Sequence, residues 1–245
     1  MDFQVKVSPD VVVIPTLDEA ENLRILLPKL LLLDLDILIV DDASRDGTAD
    51  VAQKLGQGNG RISILSRPSK MGLGSAYIQG FQKLLPMGYA NIIQMDADGS
   101  HRVEDLVEML TQFSHAPATD LLIGSRWIPG GRVENWSKHR EALSRAANWY
   151  SRKALASSVG DMTAGFRIYR ASLLRKMNLE NIESEGYSFQ IEMTREALRV
   201  GAVVMEVPIT FIERTIGTSK MSMSIVMEAI VKVTKWGLLR LNPLK

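Results

Sequence analysis

The sequence contains no cysteine, which excludes disulfides, a thiolate nucleophile and zinc–thiolate centres. It has only three histidines, His101, His115 and His139, and they make no metal-binding pair at helical spacing. It has almost no net charge, +1 at pH 7, so the basic excess of a general nucleic-acid binder is missing and no nucleic-acid partner is expected. Long apolar runs are absent as well. Leu30–Leu33 gives way to Asp34 and Asp36, and Ile225–Leu241 is interrupted by Glu228, Lys232, Lys235 and Arg240, whereas a membrane-spanning helix needs roughly 20 apolar residues. Met1–Asp10 lacks the basic-then-apolar pattern of a secretory leader. A cytosolic location is the expectation, and the formal glycosylation acceptor Asn135-Trp136-Ser137 is then a chance match.

What remains is an ordinary globular composition. With 245 residues, 46% hydrophobic and 23% charged, the chain suits one large α/β domain with a sizeable core. Val11–Ile14, Ile37–Val40, Arg61–Leu65, Ile92–Met95 and Leu121–Ile123 are short, largely apolar runs of the kind a buried parallel sheet requires. Glu19–Leu33, Thr48–Leu55, Gly74–Leu85 and Val103–Phe113 between them carry helical periodicity. The alternation predicts a Rossmann-like, doubly wound, mostly parallel sheet. After Gly130 the texture changes. Helices are expected at Arg140–Ser158, Ser188–Val200 and Ser222–Leu241, with a strand at Ala202–Val207, as a helical acceptor-side extension packed on the same sheet. Residues 1–221 are read as the main domain and 222–245 as a C-terminal amphipathic helix.

Ligands of such sheets bind beyond the carboxyl ends of the strands, and polar residues collect there. The first strand runs into Pro15-Thr16-Leu17-Asp18-Glu19, the second into Asp41-Asp42, the fourth into Asp96-Ala97-Asp98. Thr16 or Asp18 alone also suits a helix N-cap. Adjacent carboxylates such as Asp41 and Asp42 repel unless a cation or hydroxyl donors receive them. In a strand, the alternating residues Asp96 and Asp98 point to one face, and two hard oxygen ligands suit Mg²⁺ or Mn²⁺ against a diphosphate. The competing reading is a plain turn, signalled by Asp98-Gly99. Lys70-Met71-Gly72-Leu73-Gly74 fails as a dinucleotide fingerprint because Tyr77 occupies the third glycine position, and it reads better as a loop letting backbone approach a nucleoside. Among the cations Arg126, Arg140, Arg145, Arg152, Arg167, Arg214 and Lys220, Arg126 follows the fifth strand, while Arg214 and Lys220 flank a Gly/Thr-containing loop suited to phosphate.

In order along the chain, Ile14–Asn22, Val40–Thr48, Lys70–Tyr77, Met95–His101, Gly124–Trp127, Asp161–Arg167, Gly186–Gln190 and Val207–Met221 resemble the motifs of the polyprenol-phosphate mannosyltransferases, inverting family 2 glycosyltransferases of the GT-A type. The resemblance implies transfer of mannose from GDP-mannose to a polyprenyl or dolichyl phosphate. It implies that Pro15, Thr16, Glu19, Asp41, Asp42, Lys70, Gly72, Gly74, Asp96 and Ala97 serve the donor nucleotide, and that Asp96 and Asp98 hold the metal. Asp98 and Arg126 would be catalytic, and Arg126, Ser144, Arg145, Asn148, Arg152, Arg214 and Lys220 would engage phosphate and acceptor. Leu17 and Ser100 depart from the family pattern, in which an aromatic residue and a glutamine are common. The rival readings are a related transferase using UDP-glucose or another sugar nucleotide, and a nucleotide-sugar-binding protein without turnover. A lipid acceptor implies a peripheral enzyme on the cytoplasmic face of a membrane, held by the Ser224–Leu241 helix or by a separate membrane subunit.

Overall fold

The computed structural model describes residues 9–58, 60–184, 186–214 and 223–241. The first half alternates as its sequence pattern predicts: β1 (Asp10–Thr16), α1 (Ala20–Leu30), β2 (Asp36–Asp41), α2 (Thr48–Gly56), β3 (Ile62–Ser66), α3 (Leu73–Leu84), β4 (Asn91–Gln94), α4 (Val103–His115) and β5 (Leu121–Ser125). The second half adds β6 (Arg132–Glu134), α5 (Lys138–Leu155), β7 (Arg167–Arg170), α6 (Ala171–Lys176), α7 (Gly186–Arg199), β8 (Val204–Pro208), β9 (Thr210–Ile212) and α8 (Met223–Leu241).

A central sheet is ordered β3-β2-β1-β4-β7-β5-β8, and β6 pairs with β9 beside it. Alternate residues of the central strands feed opposite cores, as pleating requires. Val11, Val13, Leu38 and Val40 pack under α3 and α7, while Val12, Ile14, Ile37 and Ile39 pack under α1, α2 and α4. Burial on both faces explains why these strands read as unbroken apolar runs.

The sheet departs from the simple alternation at β7. This strand lies between β4 and β5 and is antiparallel to both, so the fourth and fifth strands are not neighbours. Its sequence, Arg-Ile-Tyr-Arg, hides it, because a buried strand rarely carries arginine. Arg167 is nevertheless completely buried. It is accommodated by carbonyls: its Nε donates to Ala164 O at 2.8 Å and one Nη to Gln190 O at 3.0 Å. The short β6, β9 and α6 also have too little periodicity to stand out in the sequence.

Helix α8 packs on α5 and α7. Val233 is buried in the core, Tyr150 and Thr234 share a hydrogen bond of 2.5 Å, and Arg195 lies 5.4 Å above the Trp236 ring. The opposite side of α8 leaves Met227, Val231, Leu238 and Leu239 exposed.

Close contact between α3 and the sheet depends on Gly80, where an added Cβ would lie 2.7 Å from Val13 Cγ1 and 3.3 Å from Val40 Cγ2. Gly80→Val is expected to destabilise the fold by about 1–3 kcal/mol through overpacking, seen as a lower urea midpoint at unchanged m-value.

Candidate active site

The carboxyl ends of β1, β2 and β4 open into a cleft of about 400 Å³. Adjacent aspartates at the end of β2 are received in two ways. Asp41 is buried behind the cleft wall, where Thr16 Oγ1 (3.0 Å) and Ser44 Oγ (2.6 Å) donate to Oδ1 and Ser44 N–H (3.1 Å) to Oδ2. Asp42 reaches the cleft and pairs with Arg67 at 2.8 Å. Its Oδ2 accepts the N–H groups of Met71 and Gly72, each at 3.0 Å. Arg67 also donates to Gly72 O at 3.1 Å and to Ser75 Oγ. The 70–74 loop is therefore shaped by a buried ion pair, and Gly72 is needed there for its φ of 97°.

Neither Thr16 nor Asp18 caps α1. The side chain that does so comes from another loop, with Asp46 Oδ2 accepting Ala20 N–H at 2.9 Å. Glu19 lines the cleft and accepts Asn22 Nδ2 at 2.6 Å. Pro15, Thr16, Lys70 and Ala97 line it too.

Asp96 and Asp98 lie beyond the end of β4, so strand alternation does not aim them. Gly99 adopts φ 77°, and the turn expected at Asp98-Gly99 is real; it coexists with the site. Asp96 is fixed by Tyr77, whose hydroxyl donates to Oδ1 at 2.7 Å, and by His101, whose Nδ1 accepts its N–H at 3.1 Å. Asp98 Oδ1 accepts Ser100 N–H at 3.1 Å, and its Oδ2 lies 3.2 Å from the Arg214 guanidinium. Desolvation at the cleft floor, with Asp98 beside it, raises the Asp96 carboxyl above the usual range. Burial lowers the His101 imidazole, whose Nδ1 can accept only in the neutral form. His101 also stacks on Phe166, with centroids 4.6 Å apart. Tyr77 stands 19 residues before Asp96, and only the fold brings its hydroxyl to that carboxylate. His101 is five residues after Asp96, inside the Met95–His101 motif, and the turn at Gly99 is what carries its ring back to the Asp96 N–H.

The donor set fits a hard divalent cation: two carboxylates, one of them held from behind by a phenol, and no sulfur. Among the described residues no third His, Cys, Asp or Glu joins them, so Asp96 and Asp98 would be the protein ligands, as expected from Ser100.

The opposite wall combines guanidinium and aromatic groups. Arg126 forms a two-pronged pair with Asp161 (2.8 Å each from Nε and Nη2) and donates to Thr163 Oγ1 at 2.8 Å. Its guanidinium sits 5.3, 5.6 and 5.4 Å from the rings of Trp127, Trp136 and Phe211. Arg140 stacks over Trp136 at 4.1 Å and pairs with Glu213, while Arg145 stacks over Trp127 at 4.2 Å. Asn148 donates to Thr163 Oγ1 at 3.0 Å. Ser144 lines an apolar groove next to the cleft.

Three expectations need correction. Gly74 does not line the cleft; a Cβ there would lie 2.6 Å from Ser184 O and 2.9 Å from Phe189, so its role is to let α3 meet the start of α7. Asp41 faces Thr16 and Ser44 and does not line the cleft. Arg152 is exposed, 12 residues beyond Arg140 on α5, hence about 18 Å along the helix axis. Lys220 lies outside the described residues.

Fold and cleft together define a glycosyltransferase. Residues 11–178 match the model described as Glycosyl transferase family 2, and the chain belongs to that family. It is 47% identical over 228 residues to an undecaprenyl-phosphate mannosyltransferase of Micrococcus luteus, covering 92% of this chain and 93% of the relative. It is 45% identical over 230 residues to a polyprenol monophosphomannose synthase of Mycolicibacterium smegmatis, covering 93% and 86%. Among solved structures, glucosyl-3-phosphoglycerate synthase of Mycobacterium tuberculosis in complex with UDP shares the fold, with a TM-score of 0.64 at 14% identity over 93% of this chain and 79% of that one. The same enzyme with Mn²⁺, UDP-glucose and glycerol 3-phosphate superposes with a TM-score of 0.62 at 16% identity, covering 94% and 79%.

Burial alone would raise the Asp161 carboxyl, but Arg126 outweighs it and holds Asp161 below the ordinary range. A depressed carboxylate contributes stability above its unfolded pKa of about 3.9 that is lost as pH falls through its folded value. Asp161→Asn is expected to cost about 3–5 kcal/mol at neutral pH, as for a broken buried pair. Urea titrations at pH 7 and pH 3 should show the penalty shrinking on acidification.

Proposed function

We propose that this chain transfers mannose from GDP-mannose to a polyprenyl phosphate, with inversion at the anomeric carbon. The observation that carries the reading is the junction of two cavities. The polar cleft meets an apolar groove of about 260 Å³ between α5, α7 and α8, and Trp136, Arg140 and Thr163 line both. Leu143, Ala147, Tyr150, Ile191, Ile230 and Val233 wall the groove. A ligand matching this shape has an anionic head for the guanidiniums and an apolar tail for the groove. The names of the two relatives at 45% and 47% identity supply the same acceptor class and the sugar.

In this reading Pro15, Glu19 and the Lys70–Gly72 backbone take the nucleoside, and Asp96 and Asp98 take Mg²⁺ or Mn²⁺. The cation would neutralise charge on the departing diphosphate. Arg214, now against Asp98, is placed to exchange that carboxylate for phosphate oxygens. Arg140 and Arg145, with Ser144 and Asn148 behind them, receive the lipid phosphate. Arg126 supports them from its pair with Asp161 rather than travelling to the substrate. The acceptor phosphate needs no general base, because its second pKa of about 6 leaves it mostly ionised at neutral pH. His101 accordingly has a structural duty: it is neutral and occupied by the Asp96 backbone. Catalysis then rests on alignment and fixed charge.

A panel of radiolabelled GDP-mannose, GDP-glucose and UDP-glucose with a polyprenyl phosphate should give lipid-linked product with GDP-mannose, formed with inversion. Product from UDP-glucose alone would refute the donor assignment. Asp98→Ala should lower turnover at least about 100-fold, the loss of several kcal/mol of charge stabilisation, with an unchanged melting temperature.

Access to a lipid acceptor fits a peripheral position on the cytoplasmic face of a membrane. Among the described residues no helix is long and apolar enough to cross one. Helices α5 and α8 expose Leu143, Trp149, Met227, Val231, Leu238 and Leu239 beside Arg145, Arg152, Lys153 and Lys235. Such a surface suits a bilayer interface with anionic lipid. The purified chain is expected to float with anionic liposomes, and Trp149→Asp with Val231→Asp to reduce flotation. Wild-type protein that stays at the bottom of the gradient points instead to a membrane subunit as the anchor.

A further inference from the structure

The Gly186–Gln190 motif has found no duty so far, yet Gln190 lines the cleft while being only 4% exposed. It is the last member of a buried hydrogen-bond chain with a fixed direction. Arg167 can only donate; its Nη1 donates to Tyr169 OH at 3.2 Å. The Tyr169 hydroxyl therefore spends its proton on Gln94 Oε1, at 3.4 Å. That turns Gln94 Nε2 toward Gln190, whose Oε1 accepts it at 2.9 Å. The orientation of the Gln190 amide follows: oxygen inward, Nε2 outward. Among the described residues no acceptor meets that Nε2.

Opposite it is Gly165. Its φ is not in the left-handed region, so the backbone does not require glycine. A Cβ there would lie 3.5 Å from Asp96 Oδ2, 3.6 Å from Gln190 Nε2 and 3.6 Å from His101 Cε1, all ordinary contacts. The protein's own packing does not require glycine either, unlike Gly74 against Ser184 O. The missing methyl leaves a gap bounded by an acceptor on one side, the Asp96 carboxylate, and a donor on the other, the Gln190 amide. A group that donates to one and accepts from the other is a hydroxyl.

We propose that Gln190 Nε2 and the gap over Gly165 form the subsite for a hydroxyl of the donor sugar, making Gln190 a specificity-determining residue. The proposal rests on the reading of the cleft as a sugar-nucleotide site. Arg167, Tyr169 and Gln94 are positioning residues that hold the amide the right way round.

Calorimetry in the presence of Mn²⁺ tests this with four probes: GDP, GDP-mannose, UDP and UDP-glucose. Gln190→Leu and Gly165→Ala are each expected to bind the free nucleoside diphosphate within about twofold of wild type, but its sugar nucleotide about tenfold more weakly, the worth of one lost hydrogen bond. Gly165→Ala leaves the buried chain intact, so it remains informative if Gln190→Leu folds poorly. An equal loss for diphosphate and sugar nucleotide, or no loss in either variant, would overturn the subsite. The two readings fail separately. Wild type that prefers UDP-glucose sinks the mannose assignment while the UDP and UDP-glucose pair still tests Gln190, and wild type that binds none of the four sinks both.

Discussion

Arg126 and Asp161 bury a complete ion pair where β5 leaves the sheet, and the guanidinium–aromatic wall of the cleft is assembled around it. Both side chains are almost wholly out of water. Desolvating two charges costs several kcal/mol each, recovered only when every remaining polar atom is met. The carboxylate and the backbone beside it are well received. Asp161 also accepts Arg126 N–H at 3.0 Å. Glu206 on β8 accepts the N–H groups of Gly160 and Asp161 at 2.6 and 2.9 Å. Thr163 joins Arg126 to Asn148 on α5. One pair thus ties together β5, β8, α5 and the segment leading into β7, and the aromatic rings that carry Arg140 and Arg145 stand on that frame. Arg126 thus anchors the wall through Asp161 and Thr163 while still lining the cleft.

The same constraint, a carboxylate at a sheet edge that must be received, recurs across the cleft with different strengths. Asp42–Arg67 is buried, its arginine side chain 1% exposed, and it sets the backbone of the 70–74 loop. Asp98–Arg214 is more open, with the arginine 24% exposed. An exposed or half-exposed pair contributes about 1 kcal/mol or less, whereas breaking a buried one costs about 3–5 kcal/mol. The ordering follows burial: the two sealed pairs brace the walls of the cleft, and the more open one lies within the cleft itself.

Much of this was legible in the sequence, for physical reasons. Two-sided burial makes the strands β1, β2, β4 and β5 into apolar runs, and ligands collect at their carboxyl ends by topology, so Pro15, Asp42, Asp96 and Asp98 could be placed at one cleft. β7 was illegible because its buried cation is satisfied by backbone carbonyls, those of Met162 and Ala164 just before it and of Gln190 on α7, which leave no mark in the side-chain pattern. Asp41 and Asp42 look alike in the chain; only Ser44 and Arg67 decide that one is sealed in and the other faces the cleft. Tyr77 was visible merely as a missing glycine, since its bond to Asp96 depends on α3 crossing above β4. Of the residues the resemblance points to, Pro15, Glu19, Lys70 and Gly72 line the cleft whereas Asp41 and Gly74 turn to protein neighbours, a difference that only the packing decides.

Glycine makes the last distinction sharpest. Gly72, Gly74 and Gly165 all fall in or beside motifs, and one residue type serves three ends. At Gly72 the backbone demands it, with φ at 97°. At Gly74 packing demands it, with Ser184 O only 2.6 Å from the Cβ position. At Gly165 neither does, and the space left open is bounded by Asp96 and Gln190. Where conformation and packing both permit a side chain and none is present, the space is open to a group from outside the polypeptide. In this cleft, a group filling it would sit between a carboxylate and an amide N–H, beside the carboxylates suited to a cation and close to the guanidinium wall.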